Sequence, residues 1–180
     1  MPSSLADMSV REIRDRADVL ADEVLTEHWS LGTVPVDPVR IARLMGVEVF
    51  SAQLGNDVFG MIFGEPEGAQ IYIDVDQPPN RYRFTAAHEL GHYVEHTQLI
   101  EDQQWIERTG GDMEYVDRRT DADRGRPEEV FANQFAGALL MPASAVRRFE
   151  RQNLNAVTMA SRFGVSLDAL KYRRLLLGRL

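Results

Sequence analysis

The chain of 180 residues contains no cysteine. This absence excludes disulfide bonds, thiolate metal sites and cysteine nucleophiles together. Any metal ion must therefore be bound by histidine, aspartate or glutamate side chains. Histidine is also scarce, because the chain has only His28, His88, His92 and His96. Few combinations of these side chains can form a metal site.

Long apolar runs are absent as well. No stretch approaches the roughly 20 apolar residues that a membrane-spanning helix needs. Residues 1–10 are polar and lack the basic and apolar stretches of a secretory signal. Hydrophobic residues make up 44% of the chain, enough for one ordinary core. We therefore expect a single domain, residues 1–180, in the cytoplasm and without a membrane contact.

Charge is unevenly distributed along the chain, whose formal net charge is -8. Residues 143–180 contain eight basic and two acidic residues, whereas residues 101–129 contain ten acidic residues and five arginines. Such asymmetry is typical of a solvated helix face or of a surface for a partner. The overall acidity argues against non-specific binding of nucleic acid by the whole chain.

Hydrophobic periodicity predicts an α+β fold in three parts: amino-terminal helices (residues 1–46), a core (47–142) and a basic carboxyl-terminal helical segment (143–180). The helices are expected at residues 9–28, 37–45, 82–96, 127–140, 155–163 and 166–177. The three strands are expected at residues 47–52, 58–63 and 70–75. Residues 97–127 show little periodicity and much charge, which indicates a long mobile acidic loop.

A histidine pair lies in the segment His-Glu-Leu-Gly-His at residues 88–92. Residues four apart share one face of a helix, so His88 and His92 can present two ring nitrogens to one ion. Glu89 then lies beside the ion, where it can act as the general base of a zinc peptidase. Gly91 permits another element to approach closely, at a helix cost of about 1 kcal/mol. If the two histidines only packed in the core, the charged Glu89 on the same largely buried helix would have no explanation.

A catalytic zinc site needs a third protein ligand. His96 lies two turns from His88, about 12 Å along the axis, and cannot reach the same ion. The helix at 127–140 offers Glu129, whose face carries small alanines that permit close helix packing. Asn133 shares that face and can hydrogen-bond a ligand. Glu128, about 100° round the helix, is the alternative third ligand. The helix dipole alone favours an acid at either position, because both residues lie in the first turn.

Two longer segments surround these residues: RFTAAHELGH at 83–92 and EVFANQFAGALLMP at 129–142. Together with PVDP at 35–38 and FGVS at 163–166, they resemble the ImmA/IrrE family of metallopeptidases. The resemblance spans residues 9–177. It implies a small zincin-like (gluzincin-type) fold, in which a three-stranded sheet packs against the helix of the zinc histidines. It also implies that Glu129 is the third ligand of one zinc ion.

The resemblance further implies a function in gene regulation. The family's described substrates are helix-turn-helix transcriptional repressors, which are cleaved to release stress-response or mobile-element genes. Some relatives carry an amino-terminal DNA-binding domain that this chain lacks, so we expect a separately encoded protein target. A second hypothesis is a regulatory protein that binds a transcription factor through the same scaffold and cleaves little or nothing.

The expected chemistry is zinc-assisted hydrolysis of a peptide bond, in which Glu89 transfers the proton of the attacking water to the leaving amine. We expect the substrate to add as a strand to an exposed edge of the strand at 70–75. Candidates for stabilising the oxyanion include Tyr72, Tyr93 and Tyr115. The sequence does not choose among them.

The closing segment, residues 159–174, indicates two helices joined by a tight turn. One interpretation is a helix-turn-helix that contacts DNA through Lys171, Arg173 and Arg174. The other is a structural cap on the core. The cap would pack through its apolar residues, which are Phe163, Val165, Leu167, Leu170, Leu175 and Leu176. We favour the cap, because one isolated motif is weak support for DNA binding.

Overall fold

The computed structural model describes residues 5–30, 32–55, 58–65, 68–99, 115–118 and 125–178. Its helices are α1 (Val10–His28), α2 (Pro38–Leu44), α3 (Pro79–Leu99), α4 (Pro127–Leu140), α5 (Ala143–Arg151), α6 (Ala156–Phe163) and α7 (Leu167–Leu176). Its strands are β1 (Glu48–Ala52), β2 (Val58–Glu65), β3 (Gly68–Asp74) and β4 (Tyr115–Arg118). The element order confirms the α+β class. No helix among the described residues is long and apolar enough to cross a membrane.

The first two helices begin where their capping residues predict. Ser9 caps α1 with its side chain, and Glu12 completes a capping box by bonding back to the Ser9 amide. Asp37 caps α2 by accepting a hydrogen bond from the amide of Arg40. Gly46 follows the end of α2 with a φ of +83°, a conformation that glycine adopts without strain.

The sheet contains the three expected strands and a short fourth one, in the order β1-β3-β2-β4. β1 runs parallel to β3, whereas β2 is antiparallel to both β3 and β4. β4 lies within the segment expected as a mobile loop, and residues 100–114 and 119–124 of that segment lie outside the described residues. The expectation that the strand at 70–75 has an exposed edge for a substrate is wrong. β3 hydrogen-bonds to β1 on one side and to β2 on the other, so it has no edge for a peptide.

Helix α4 packs against α1 on one side and α3 on another. Its rings Phe131 and Phe135 are completely buried and stack with centroids 6.2 Å apart. Burial of one such side chain contributes about 2–3 kcal/mol. Helix α4 therefore lies at the centre of the core, packed against both α1 and α3.

Helix α5 was not expected from the sequence. Pro142 is the N-cap of α5, which begins at Ala143. Proline favours a helix start because its fixed φ and missing amide cost nothing there. α5 buries Val146 and Phe149, and the Phe149 ring lies 5.1 Å from that of Phe163 on α6. The basic segment is thus more helical than predicted.

The carboxyl-terminal helices pack as a cap on the core. Phe163 and Leu170 are completely buried, whereas Leu175 is 56% exposed, contrary to the expectation for that position. Arg173 is also buried, and it donates a 2.7 Å hydrogen bond to Asp18 on α1. The other two basic residues form the ion pairs Arg174–Glu150 at 3.0 Å and Lys171–Asp168 at 3.7 Å. All three cations proposed for DNA contact therefore interact with carboxylates of this chain.

At Gly91, helix α3 lies against α4 without room for a side chain. A Cβ atom at this position would lie 3.0 Å from Cα of Ala132 and 3.2 Å from Cδ1 of Phe135. The first of these atoms belongs to the backbone and cannot rotate away. Glycine is therefore required for the observed separation of the two helices.

We expect Gly91→Ala to lower the free energy of unfolding by about 1–2 kcal/mol, because overpacking outweighs the gain in helix propensity. Gly137→Ala is a matched control, since a Cβ atom there meets nothing within 4 Å. That change should raise the free energy of unfolding by up to about 1 kcal/mol. Urea unfolding of the two variants measures both values. Equal or greater stability of Gly91→Ala would contradict the close contact.

Candidate metal site

Helix α3 holds two histidine side chains against each other inside the protein. The Nε2 atoms of His88 and His92 lie 3.1 Å apart, and the two residues are 3% and 0% exposed. Their ring planes are nearly perpendicular, at 83°. One turn of helix separates them, as the spacing of four residues predicts. Both nitrogens therefore point to one common position.

Helix α4 brings a carboxylate to the same position. The Oε1 and Oε2 atoms of Glu129 lie 3.4 Å from Nε2 of His92 and 3.6 Å from Nε2 of His88. Ligand atoms of these three residues all lie within 4.8 Å of one another, and no other such group occurs in the described part of the chain. The structure thus brings together the three residues that the sequence predicted as ligands.

The chemistry of these donors fits a zinc ion. Burial lowers the pKa of His92 to about 4, although its hydrogen bond to Glu129 acts in the opposite direction. The His92 ring is therefore neutral at physiological pH, and the neutral ring is the form that binds metal. Two imidazoles and one carboxylate match the donors of a catalytic zinc site that keeps a fourth position for water.

Glu128 and His96 lie outside this group of three. Glu128 is 3.8 Å from Nε of Arg126, and its charge acts on Glu95 and His96. His96 lies beside Glu95, with Nε2 4.0 Å from the carboxylate. Burial lowers the pKa of His96. The two alternatives considered for the third ligand therefore belong to a neighbouring charged cluster.

Asn133 occupies the face of α4 predicted for it, but its contact differs from the expected one. Its side-chain amide donates a 2.8 Å hydrogen bond to the main-chain carbonyl oxygen of Glu129. The side chain itself is exposed. Asn133 therefore acts on the backbone of the turn that carries Glu129, and no contact with the carboxylate is seen.

Glu89 is completely buried beneath strand β2. A Cβ atom on Gly60 of that strand would lie 2.8 Å from Oε1 of Glu89 and 2.5 Å from Cγ2 of Thr85. Any larger residue at position 60 would have to displace one of these side chains. The sequence carried a signal for this contact, because a glycine inside an apolar strand indicates close approach of another group.

A buried glutamine fixes the strand above Glu89. Gln77 donates hydrogen bonds from Nε2 to the carbonyl oxygens of Phe59 at 2.6 Å and Asp74 at 3.2 Å. Its Oε1 accepts a 2.9 Å bond from the hydroxyl of Thr85. Thr85 lies one turn before Glu89, so Gln77 connects β2 and the end of β3 to the helix of the metal site. Nothing in the local sequence pattern marks Gln77 as a buried residue.

Glu95 is a second buried acid close to the site. Burial raises its pKa to about 7, and the negative charges of Glu128 and Glu129 add to the effect. The side chain is 5% exposed. In the absence of a bound cation, this carboxyl group therefore prefers its neutral form up to neutral pH.

We expect Glu95→Gln to stabilise the zinc-free protein at alkaline pH. Because the folded pKa of about 7 exceeds the ordinary 4.5, the carboxyl group contributes stability that is complete below pH 4.5 and lost as the pH rises through 7. At pH 8 the variant should exceed the wild type by on the order of 2 kcal/mol in unfolding free energy, and at pH 4.5 it should not. Urea unfolding at both values tests this. The exposed Glu27 supplies the control, since Glu27→Gln should leave the pH dependence unchanged.

Solved structures of other proteins share this fold. A Mycobacterium tuberculosis transcriptional regulator superimposes with a TM-score of 0.61 and 22% sequence identity. The match covers 92% of this chain and 52% of that protein, so this chain spans about half the length of the regulator. At this identity the likeness concerns the fold. No curated protein matches the chain.

A family model also matches the sequence. It describes the IrrE N-terminal-like domain of the M78 peptidases and covers residues 42–174. The matched range begins within α2 and ends within α7, so it contains both histidines and Glu129. The fold is the small zincin-like one that the resemblance implied. The chain belongs to the IrrE N-terminal-like family of M78 metallopeptidases.

Proposed function

We propose that this protein is a zinc-dependent, site-specific endopeptidase. One observation carries the proposal: ligand atoms of His88, His92 and Glu129 converge within 4.8 Å, and the buried Glu89 lies between the two histidines on the same helix. Membership in a metallopeptidase family supports the same conclusion. Two histidines that only pack in a core do not require a carboxylate from a second helix.

In the proposed mechanism His88, His92 and Glu129 hold one zinc ion. When bound, the ion supplies a Lewis acid for the scissile carbonyl group and lowers the pKa of water. Glu89 accepts the proton of the attacking water and returns it to the leaving amine. Gly60 lets β2 lie directly against the side chain of Glu89. Asn133 holds the turn that presents Glu129.

The proposed substrate is a helix-turn-helix transcriptional repressor. The family resemblance supports this class of substrate, and the structurally similar Mycobacterium tuberculosis protein is a transcriptional regulator. The carboxyl-terminal helices support a protein partner over DNA. Arg173 and Arg174 form short ion pairs with Asp18 and Glu150, which leaves them poorly placed for phosphate contacts.

We expect Glu89→Gln to abolish cleavage without loss of zinc or of partner binding. The amide keeps the shape of the side chain but cannot accept the proton, so kcat/KM should fall by about 10²–10⁴-fold. The assay combines gel and mass-spectrometric detection of repressor fragments with metal analysis of the purified variant. If Glu89→Gln still releases the repressor from its operator in cells at the normal rate, the protein acts by binding and the peptidase proposal fails.

The third ligand is tested by a pair of adjacent glutamates. Glu129→Gln should weaken zinc binding by more than the 10–100-fold loss that accompanies mutation of an outer-shell partner, because it removes a ligand itself. Glu128→Gln is the matched control and should bind zinc within about threefold of the wild type. Competition with a chromophoric chelator gives both affinities. Loss of zinc from Glu128→Gln, with retention by Glu129→Gln, would reverse the assignment.

A further inference from the structure

A cavity of about 500 Å³ lies among helices α1, α3, α4 and α7. We call it the α4 pocket. Its apolar walls come from Phe84, Val130, Met141 and Leu176. Gly137 of α4 also lines it, and a Cβ atom at that glycine would meet nothing within 4 Å. The pocket therefore reaches the backbone of α4, and neither the core nor the proposed chemistry makes use of this space.

The pocket adjoins the metal site through both helices that carry its ligands. Phe84 precedes His88 by one turn of α3, and the two rings lie 6.5 Å apart. Asn133, which also lines the pocket, follows Glu129 by one turn of α4 and is hydrogen-bonded to its carbonyl oxygen. One turn corresponds to about 5.4 Å along a helix axis. An extended peptide advances about 3.3 Å per residue, so one or two residues span the length of one helical turn.

The size and lining of the α4 pocket define what it can hold. Its volume falls in the range of roughly 300–1,000 Å³ that is typical of ligand pockets. Polar side chains also line the pocket, namely Arg14, Asn133, Gln134, Tyr172 and Arg173. The apolar walls favour an apolar occupant, because each buried methylene group contributes about 0.8 kcal/mol. A leucine, methionine or phenylalanine side chain fits this description. A small polar side chain would gain little from the same walls.

The rim of the pocket carries a positive charge. Arg14 of α1 donates a 3.2 Å hydrogen bond to the hydroxyl of Tyr172 across the opening. In the part of the chain that the structure describes, no carboxylate lies within ion-pair distance of Arg14. Arg173, by contrast, is bound to Asp18 at 2.7 Å. Arg14 is therefore the rim cation with capacity for an acid from another molecule.

We propose that the α4 pocket is a substrate subsite that binds a bulky apolar side chain of a peptide. Arg14 binds the carboxylate of the adjacent residue of the same peptide. The position of this subsite next to a scissile bond rests on the proposed peptidase function. The binding of a peptide in the α4 pocket does not depend on that function. The pocket would select apolar–acidic segments and reject polar ones. It thus supplies a physical basis for cleavage at few sites.

Titration of the full-length, zinc-loaded Glu89→Gln chain, followed by NMR, tests the subsite while the probes stay intact. The probes are the amides of N-acetyl-Leu-Asp, N-acetyl-Ser-Asp and N-acetyl-Leu-Asn. The Leu-Asp probe should shift the backbone amide signal of Gly137 and bind at least about tenfold more tightly than the Ser-Asp probe.

Adding Gly137→Leu fills the pocket and should weaken Leu-Asp binding at least about tenfold, whereas adding Gly137→Ala leaves room and should not weaken it. Adding Arg14→Gln should remove the preference for Leu-Asp over Leu-Asn.

Equal affinity for the leucyl and seryl probes would overturn the apolar subsite. Unchanged binding of Leu-Asp when Gly137→Leu is present would overturn the location, and the spectrum of that variant shows whether it is folded. A separate outcome isolates the proposed function. If Leu-Asp binding depends on Gly137 but the wild-type protein hydrolyses no Leu-Asp-containing peptide, the pocket stands as a peptide-binding site and the peptidase proposal fails.

Discussion

The contact between α3 and α4 at Gly91 determines the geometry of everything around the candidate metal site. The Cα atom of Ala132 would lie 3.0 Å from a side chain at that position, so the two backbones meet without intervening side chains. Ordinary helix pairs pack 8–10 Å apart, depending on the residues at the contact. Here the small residues permit a short separation, and Glu129 consequently reaches both histidines.

The same close packing concentrates charge in a region with little water. Glu95, Glu128 and Glu129 lie near one another, and burial and these charges together raise the pKa of Glu95 to about 7. Burial keeps His92 neutral, so this ring does not neutralise the acids. A buried surplus of negative charge is costly unless a cation compensates it. The electrostatics and the donor geometry therefore favour the same occupant, a divalent metal ion.

The parts of this protein that local chemistry determines could be predicted from the sequence. The four-residue spacing of His88 and His92 and the caps Ser9 and Asp37 each depend on residues within one turn, and the structure follows them. The central position of β3 could not be predicted, because strand order depends on pairing between distant segments. The role of Gln77 could not be predicted from the sequence for a related reason. Its three hydrogen bonds join groups 3, 8 and 18 residues away, and only the assembled sheet brings them together.

Asp18 connects helix α1 to α4 and α7. Its carboxylate accepts hydrogen bonds from Gln134 on α4 at 3.0 Å and from Arg173 on α7 at 2.7 Å. The second bond joins residues 155 positions apart, and closing so long a loop costs entropy before any contact compensates it. A polypeptide emerging from the ribosome folds from its amino terminus first. Helix α1 can therefore form its ion pair with the buried Arg173 only after residue 173 has left the ribosome, and α4 is enclosed late in folding.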